Sequence, residues 1–330
     1  MYLGNSLGKF ILRHYKTLLP FITLRKALNI IHSMFNFKLK KVKVKSSPFI
    51  FRIDPCTLCN LKCPSCMTPV TITNEKRIME YKDFLLILNK LKPFAIRFSL
   101  YDEGEPLLNK DIYRIIKSTT EANVSTLVST NFNHFNQSNI EDLFNSGLTV
   151  LEPCLDGFTQ KSYSKYRVNG DLSILKSNIE TVINYKHKHN KKYPYVDVQI
   201  ILFNHIKDEL PEIDKYLKEL NVDNITYRDE TLGFNNNQTK IEQTINTPCY
   251  WLYIGMNIRP NGNVYPCSGM GLNRFSFGNI LEQDLEDIWN NKYYQFARKL
   301  FIKGEDLEID DDLKQVPCLT CEKFKRLRNI

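Results

Sequence analysis

The first 53 residues contain no aspartate or glutamate, against 11 lysines and arginines. That absence accounts for the formal net charge of +9, because the remaining 34 cations face 36 anions. The body of the chain is near neutral, so overall charge gives no support to nucleic-acid binding; the basicity belongs to an N-terminal arm. Long uncharged runs are also missing. No stretch approaches the roughly 20 apolar residues needed to cross a bilayer, so a transmembrane helix is not expected. The opening residues lack a compact apolar run followed by a small-residue cleavage site, and the sequence predicts a chain that stays in a reducing cytoplasm. An even, dispersed cysteine framework is lacking too. The nine cysteines are odd in number and tightly clustered, which suits metal ligation better than disulfides.

Within the arm, apolar residues (Phe10, Ile11, Leu18, Leu19, Phe21, Ile22, Leu28, Ile30, Ile31, Met34, Phe35) alternate with Lys9, Arg13, Lys16, Arg25 and Lys26. Pro20 should kink or split the helix. Two readings stay open for residues 1–45: a basic amphipathic segment on the inner membrane surface, or a helix packed on the protein with its cations solvated. The run Lys38–Lys45 (KLKKVKVK) serves either.

From residue 48 short strands rich in Val, Ile, Leu and Phe alternate with helices. Strands are predicted at 49–53, 95–100, 124–129, 149–155, 196–202 and 225–227. Helices are predicted at 79–92, 109–122, 137–146, 159–189 and 208–220. The pattern predicts an α/β fold, a partial (β/α)6 TIM-like barrel; a doubly wound sheet of the same strand count is the competing topology. Residues 233–240 read as a polar linker. Residues 251–259 and 263–266, around Pro260-Asn261-Gly262, read as a β-hairpin, and 284–302 as a helix. The expected domains are a basic helical arm (1–47), the partial barrel (48–230) and a small C-terminal α+β cluster-binding domain (231–330).

Cys59, Cys63 and Cys66 follow the first strand on one loop. Thiolates this close can converge on one centre, and soft sulfur ligands select zinc or iron–sulfur. Three thiolates leave one position of a four-iron cluster open. A zinc site built from Cys56-x2-Cys59 and Cys63-x2-Cys66 is the alternative, although zinc modules usually place about a dozen residues between such pairs.

The C-x3-C-x2-C spacing after a first strand, with Cys59-Asn60-Leu61-Lys62-Cys63, resembles the radical S-adenosylmethionine (SAM) superfamily. Three later strand ends are similar to its loops: Glu103-Gly104-Glu105-Pro106, Ser129-Thr130-Asn131, and Cys154-Leu155-Asp156-Gly157 followed by Tyr163-x2-Tyr166-Arg167. The resemblance implies a 4Fe-4S cluster on Cys59, Cys63 and Cys66 that binds and cleaves SAM. It also implies SAM amino-group contacts from Glu103, Gly104 and Glu105, ribose contacts from Ser129 or Asn131, and a carboxylate partner in Arg167. Cys56 is read as a buried or spectator thiol. Glu152, Asp197 and Arg228 lie on or beside strands, either facing the cavity or pairing structurally.

Cys249, Cys267, Cys318 and Cys321 remain. The predicted hairpin places Cys249 and Cys267 on adjacent strands, and the Cys318-x2-Cys321 turn can close a four-thiolate site. With Arg259–Cys267, Phe277–Ile280 and Trp289, this segment resembles the SPASM/Twitch domain, which implies a second 4Fe-4S cluster; structural zinc is the alternative. The resemblance further implies reduction by flavodoxin or ferredoxin and hydrogen abstraction from a substrate C–H bond. A small molecule, sugar or glycan precursor is the expected substrate. The alternatives are a peptide-modifying maturase and a non-catalytic zinc-binding scaffold. No nucleic-acid partner is expected.

Overall fold

The computed structural model describes residues 14–66, 78–230, 248–268, 275–303, 307 and 309–321. Residues 1–13 of the arm, the linker expected at 233–240 and the tail 322–330 lie outside the described residues. In chain order the elements are α1 (Leu24–Lys38), β1 (Ile50–Ile53), α2 (Tyr81–Leu91), β2 (Arg97–Ser99), α3 (Ile112–Glu121), β3 (Ser125–Thr130), α4 (Ile140–Asn145), β4 (Val150–Pro153), α5 (Gln160–Tyr166), α6 (Leu172–Lys188), β5 (Tyr195–Leu202), α7 (Leu210–Glu219) and β6 (Asn224–Asp229). They continue with α8 (Trp251–Ile254), β7 (Gly255–Ile258), β8 (Asn263–Tyr265), β9 (Gly278–Asn279), α9 (Leu285–Trp289) and α10 (Lys292–Lys303).

The chain divides into two compact units that do not follow chain order: Met1–Ile53 with Lys82–Phe98 and Lys240–Ile330, and Asp54–Tyr81 with Ser99–Thr239. In the second unit, β3, β4, β5 and β6 lie side by side in sequence order and all run parallel. A doubly wound sheet would reverse its strand order partway; this one does not, so the singly wound, barrel-like reading holds. Val196, Val198 and Ile200 alternate with Asp197 and Gln199 along β5, and the three aliphatic side chains are fully buried. In the first unit the order is β2-β1-β7-β8-β9, with β1 parallel to β7 and the last two strands antiparallel. Among the described residues neither strand set closes on itself; β6 and β9 are edges.

Three predicted elements break where local chemistry opposes them. The helix expected over 159–189 is two helices, α5 and α6, separated at Asn169-Gly170. Asn169 takes a left-handed φ of 69°, and Asp171 then caps α6 by accepting the Ser173 and Ile174 amides. The helix expected over 284–302 divides at Asn290-Asn291. Asn290 bonds both backbone groups of Val44, and Asn291 caps the following helix at Tyr293 and Tyr294. The first strand of the expected hairpin starts late. Trp251–Ile254 coil into a helical turn, and extension begins only at Gly255, where a Cβ would lie 2.6 Å from the Trp251 ring. Cys249 therefore sits just before a helical turn, not on a strand, which corrects the hairpin placement.

The arm helix α1 is capped by Thr23, which accepts the Lys26 amide, and ends where Lys40 adopts φ 52°. Its buried residues are polar: Lys26, Asn29 and Ser33. Asn29 exchanges two hydrogen bonds with the Ser47 backbone, and the Ser33 hydroxyl donates to the Tyr253 carbonyl. Arg298, fully buried in the same unit, donates to the carbonyls of Leu252 and Val42. Hydrogen bonds from a charged donor contribute about 1.5–3 kcal/mol each, so Arg298 is a principal tie between the arm and the C-terminal segment. No described helix is long and apolar enough to cross a membrane.

Candidate functional site

The first cysteine loop is stapled at its neck. Cys56 and Ile78 form an antiparallel bridge, and the Met79 amide donates to the Pro55 carbonyl at 3.0 Å. The buried carboxamide of Asn109 donates to the carbonyls of both Pro55 and Met79. Within the loop, the Cys66 amide donates to the Cys63 carbonyl at 3.0 Å, closing a Cys-x-x-Cys turn, and Lys62 is held by the Val168 carbonyl.

Gly104 is the floor under the loop. A Cβ there would lie 2.0 Å from the Cys56 carbonyl oxygen and 2.5 Å from that of Leu58; only glycine permits this approach. The next residue, Glu105, donates its amide to the Leu58 carbonyl at 2.7 Å. Its fully buried carboxylate accepts the Thr130 hydroxyl at 2.6 Å, the Asn131 amide at 2.8 Å and the Leu107 amide at 3.1 Å. Burial pushes this carboxyl above its usual range, against those hydrogen bonds. Glu105 thus ties the loop after β2 to the end of β3. The Glu103 amide donates to Asp54.

The three thiols lie within electrostatic reach of one another. Burial pushes the Cys59 thiol up to about 11, with smaller contributions that include Glu105, Cys63 and Cys66. Burial raises Cys63 as well, opposed by Arg167. Polar groups face two of the sulfurs. The Asn131 amide nitrogen lies 3.9 Å from Cys59 Sγ and 2.9 Å from Asn60 Oδ1. Arg167 Nη1 lies 4.0 Å from Cys63 Sγ. Arg167 ends α5 and is pinned by Asp156, whose Oδ2 accepts Nε at 2.7 Å and pairs with Nη2 at 2.6 Å. Asp156 Oδ1 takes the Ile201 amide, so the arginine is anchored to β5. The Ser129 hydroxyl is 3.6 Å from Cys154 Sγ. Cys56 is buried and bonded to Leu58.

Of the other strand residues, Glu152 accepts Arg228 at 3.4 Å, and Asp197 accepts Asn224 and Thr226. Asn109, Asp156 and Thr130 are site-building residues that sequence reasoning did not assign. Asp156 stood within a quoted motif; Asn109 carried no signal.

In the other unit, Cys249, Cys267, Cys318 and Cys321 line one cavity with Trp251, Leu252, Pro266, Phe301 and Pro317. A 3.4 Å hydrogen bond from the Cys321 amide to the Cys318 carbonyl closes the second Cys-x-x-Cys turn. Cys318 is raised well above its usual value by burial and by the other three thiols. Two buried donors of this unit have no partner among the described residues: the Trp251 indole N–H and the Tyr294 hydroxyl. Burial raises the Tyr294 phenol, and so do the thiols of Cys267 and Cys318. Donors held against a set of sulfurs fit a group that presents acceptor sulfides. Among the described residues, no three His, Cys, Asp or Glu side chains gather tightly enough for a single metal ion.

Residues 249–322 match the SPASM family, an iron-sulfur cluster-binding domain. The chain is 24% identical over 169 residues to a GTP 3',8-cyclase of Clostridium botulinum, covering 50% of each; it spans about half the length of the curated relatives it matches. Its fold is similar to Streptococcus suis SuiB bound to the precursor peptide SuiA (TM-score 0.63, 18% identity, 86% of this chain and 73% of that one). It is also similar to BtrN in complex with AdoMet and 2-DOIA (TM-score 0.51, 19% identity, 78% and 88%). The C-terminal segment thus matches the SPASM family, and the proteins whose fold this chain resembles include one in complex with AdoMet.

Proposed function

We propose that this protein is a radical SAM enzyme. Cys59, Cys63 and Cys66 would hold a 4Fe-4S cluster that binds SAM, and Cys249, Cys267, Cys318 and Cys321 a second 4Fe-4S cluster. The observation that carries the reading is the first loop: it carries Cys59, Cys63 and Cys66 within eight residues, is stapled at the neck and is seated on Gly104. When bound, the cluster and SAM supply reductive cleavage of the sulfonium bond and hydrogen abstraction from an unactivated C–H bond.

The chain's own residues do the positioning. Gly104 leaves room for backbone to approach the loop, and Glu103 and Gly104 offer polar groups toward the SAM amino group. Glu105 acts at one remove, by fixing Thr130 and Asn131. Asn131 sets a donor beside Cys59, and Ser129 and Asn131 stand at the strand end assigned to the ribose. Arg167, oriented by Asp156, places a fixed positive charge beside Cys63, where a carboxylate is favoured. Flavodoxin or ferredoxin would supply the electron for SAM cleavage in a reducing cytoplasm; where the substrate radical is then oxidised, Cys249, Cys267, Cys318 and Cys321 would hold the cluster that takes up the electron it gives.

The substrate we favour is a hydroxylated small molecule, sugar or glycan precursor; the fold shared with BtrN in complex with 2-DOIA supports it. The fold shared with peptide-bound SuiB favours a second reading, a peptide-modifying maturase.

Anaerobic reconstitution followed by a 5′-deoxyadenosine assay under dithionite tests the class. The wild type should bind iron and sulfide and release 5′-deoxyadenosine, while Cys63→Ala should release none. A colourless protein that keeps zinc through reconstitution would establish the scaffold reading instead. Candidate sugars and peptides, scored by substrate-dependent turnover, separate the two substrate classes.

A further inference from the structure

The arm helix is built inside out. Leu24, Leu28, Ile31 and Phe35 recur at the spacing of one helical face, and with Met34 they are between 47% and 78% exposed. Asn29, Ser33 and Lys26, on the opposite side of the same helix, are buried and bonded within the protein. At about 1.5 Å per residue the stripe runs for about 17 Å. Leu39, 62% exposed, extends it.

Burying polar groups while leaving five large apolar side chains in water reverses the usual economy of a surface helix. Something else must cover that stripe. The surrounding charge says what: exposed Lys38, Lys40, Lys41, Lys43 and Lys45 follow the stripe directly, and the first 53 residues contain no carboxylate to offset them. A second copy of this chain would bring like charges face to face, with no acid in the segment to relieve the repulsion. An anionic bilayer offers both what the stripe lacks, an apolar phase about one side chain deep, and what the lysines lack, counter-charges in a plane.

We infer that α1 docks this protein on an anionic membrane, lying in the interface with Leu24, Leu28, Ile31 and Phe35 inserted and the Lys38–Lys45 run on the headgroups. The inference stands apart from the proposed chemistry, since no cysteine takes part in it. It would hold the enzyme beside lipid-borne substrate if the glycan reading is correct.

Co-sedimentation of the full chain with vesicles tests it. Partition into phosphatidylglycerol/phosphatidylcholine vesicles should exceed partition into pure phosphatidylcholine by about tenfold or more. Ile31→Glu should lower it by about tenfold, with an unchanged thermal midpoint because the position is exposed. A Lys40→Gln/Lys41→Gln/Lys43→Gln variant should retain its fold and bind anionic vesicles no better than neutral ones. Absence of binding to anionic vesicles, or equal binding to both vesicle types, would overturn the inference. So would a wild-type dimer that Ile31→Glu dissociates without any effect on vesicle partition.

Discussion

Both sulfur sites contain a Cys-x-x-Cys turn closed by an amide of the second cysteine on the carbonyl of the first; they differ in where the other thiols come from. Cys59 stands only four residues ahead of Cys63, so one loop carries the whole three-thiol set. Cys249 is separated from Cys318 and Cys321 by three strands and three helices, β7 to β9 and α8 to α10, yet all four thiols line one cavity with Cys267. The local set is incomplete for a four-iron cluster and faced by polar groups, Asn131 and Arg167. The long-range set has four thiols and is walled by apolar side chains that include Trp251, whose indole N–H has no partner among the described residues. A site with a missing ligand and a fixed cation is arranged to bind a further molecule; a saturated, enclosed one is arranged to pass electrons or to hold the fold.

The sharpest way to break this comparison is to remove one thiol from each site. Cys63→Ala should abolish 5′-deoxyadenosine release with the second cluster's iron retained. Cys318→Ala should keep measurable release while losing that iron. Equal loss in both variants would mean the sites are not separable. Gly104→Ala comes next. Its new methyl would have to displace the Cys56 and Leu58 carbonyls, so we expect a cost of about 3 kcal/mol or more in chemical denaturation and loss of iron from the first site. A smaller effect should follow Tyr294→Phe. If its hydroxyl bonds a sulfide, the second cluster's midpoint potential should fall by something on the order of tens of millivolts, with the thermal midpoint little changed. An unmoved potential would assign the hydroxyl no such role.

The smallest effect is a pH dependence confined to the three-thiol unit. Glu209 accepts the Ser162 hydroxyl at 2.6 Å, the Phe158 amide at 2.7 Å and the Thr159 hydroxyl at 3.1 Å. Burial raises its carboxyl, but these bonds together outweigh it and hold the group below its ordinary value of 4.5. Stability from this pairing is therefore full above that value and is lost as pH falls through the lowered one. Glu209→Gln should flatten the acid limb of the stability–pH curve and leave neutral behaviour nearly unchanged.

Much of this was legible from sequence because it is local. The six barrel strands were placed to within a few residues from runs of Val, Ile, Leu and Phe, and the cysteine spacing singled out the two sets of thiols that the structure carries on one loop and around one cavity. What escaped notice depends on distant partners. Asn109 gives no cue in its own neighbourhood that it will bridge Pro55 and Met79. Glu105 looked like a ligand for SAM, whereas its oxygens are engaged by β3, a pairing that only the fold creates. Periodicity found the amphipathic arm but could not tell which face would turn inward. That was decided by Ser47 and Tyr253, groups outside the helix that offered hydrogen bonds to Asn29 and Ser33.

The discontinuity of the four-thiol unit has a consequence for biosynthesis. Val44 is held by Asn290, 246 positions later, and the Ser46 carbonyl by Trp289, 243 positions later. A ribosome working from the N-terminus makes every residue of the three-thiol unit before those partners exist. During that interval the basic arm has no finished surface to fold onto, and a segment translated ahead of the three-thiol unit is locked in place only after that unit is made.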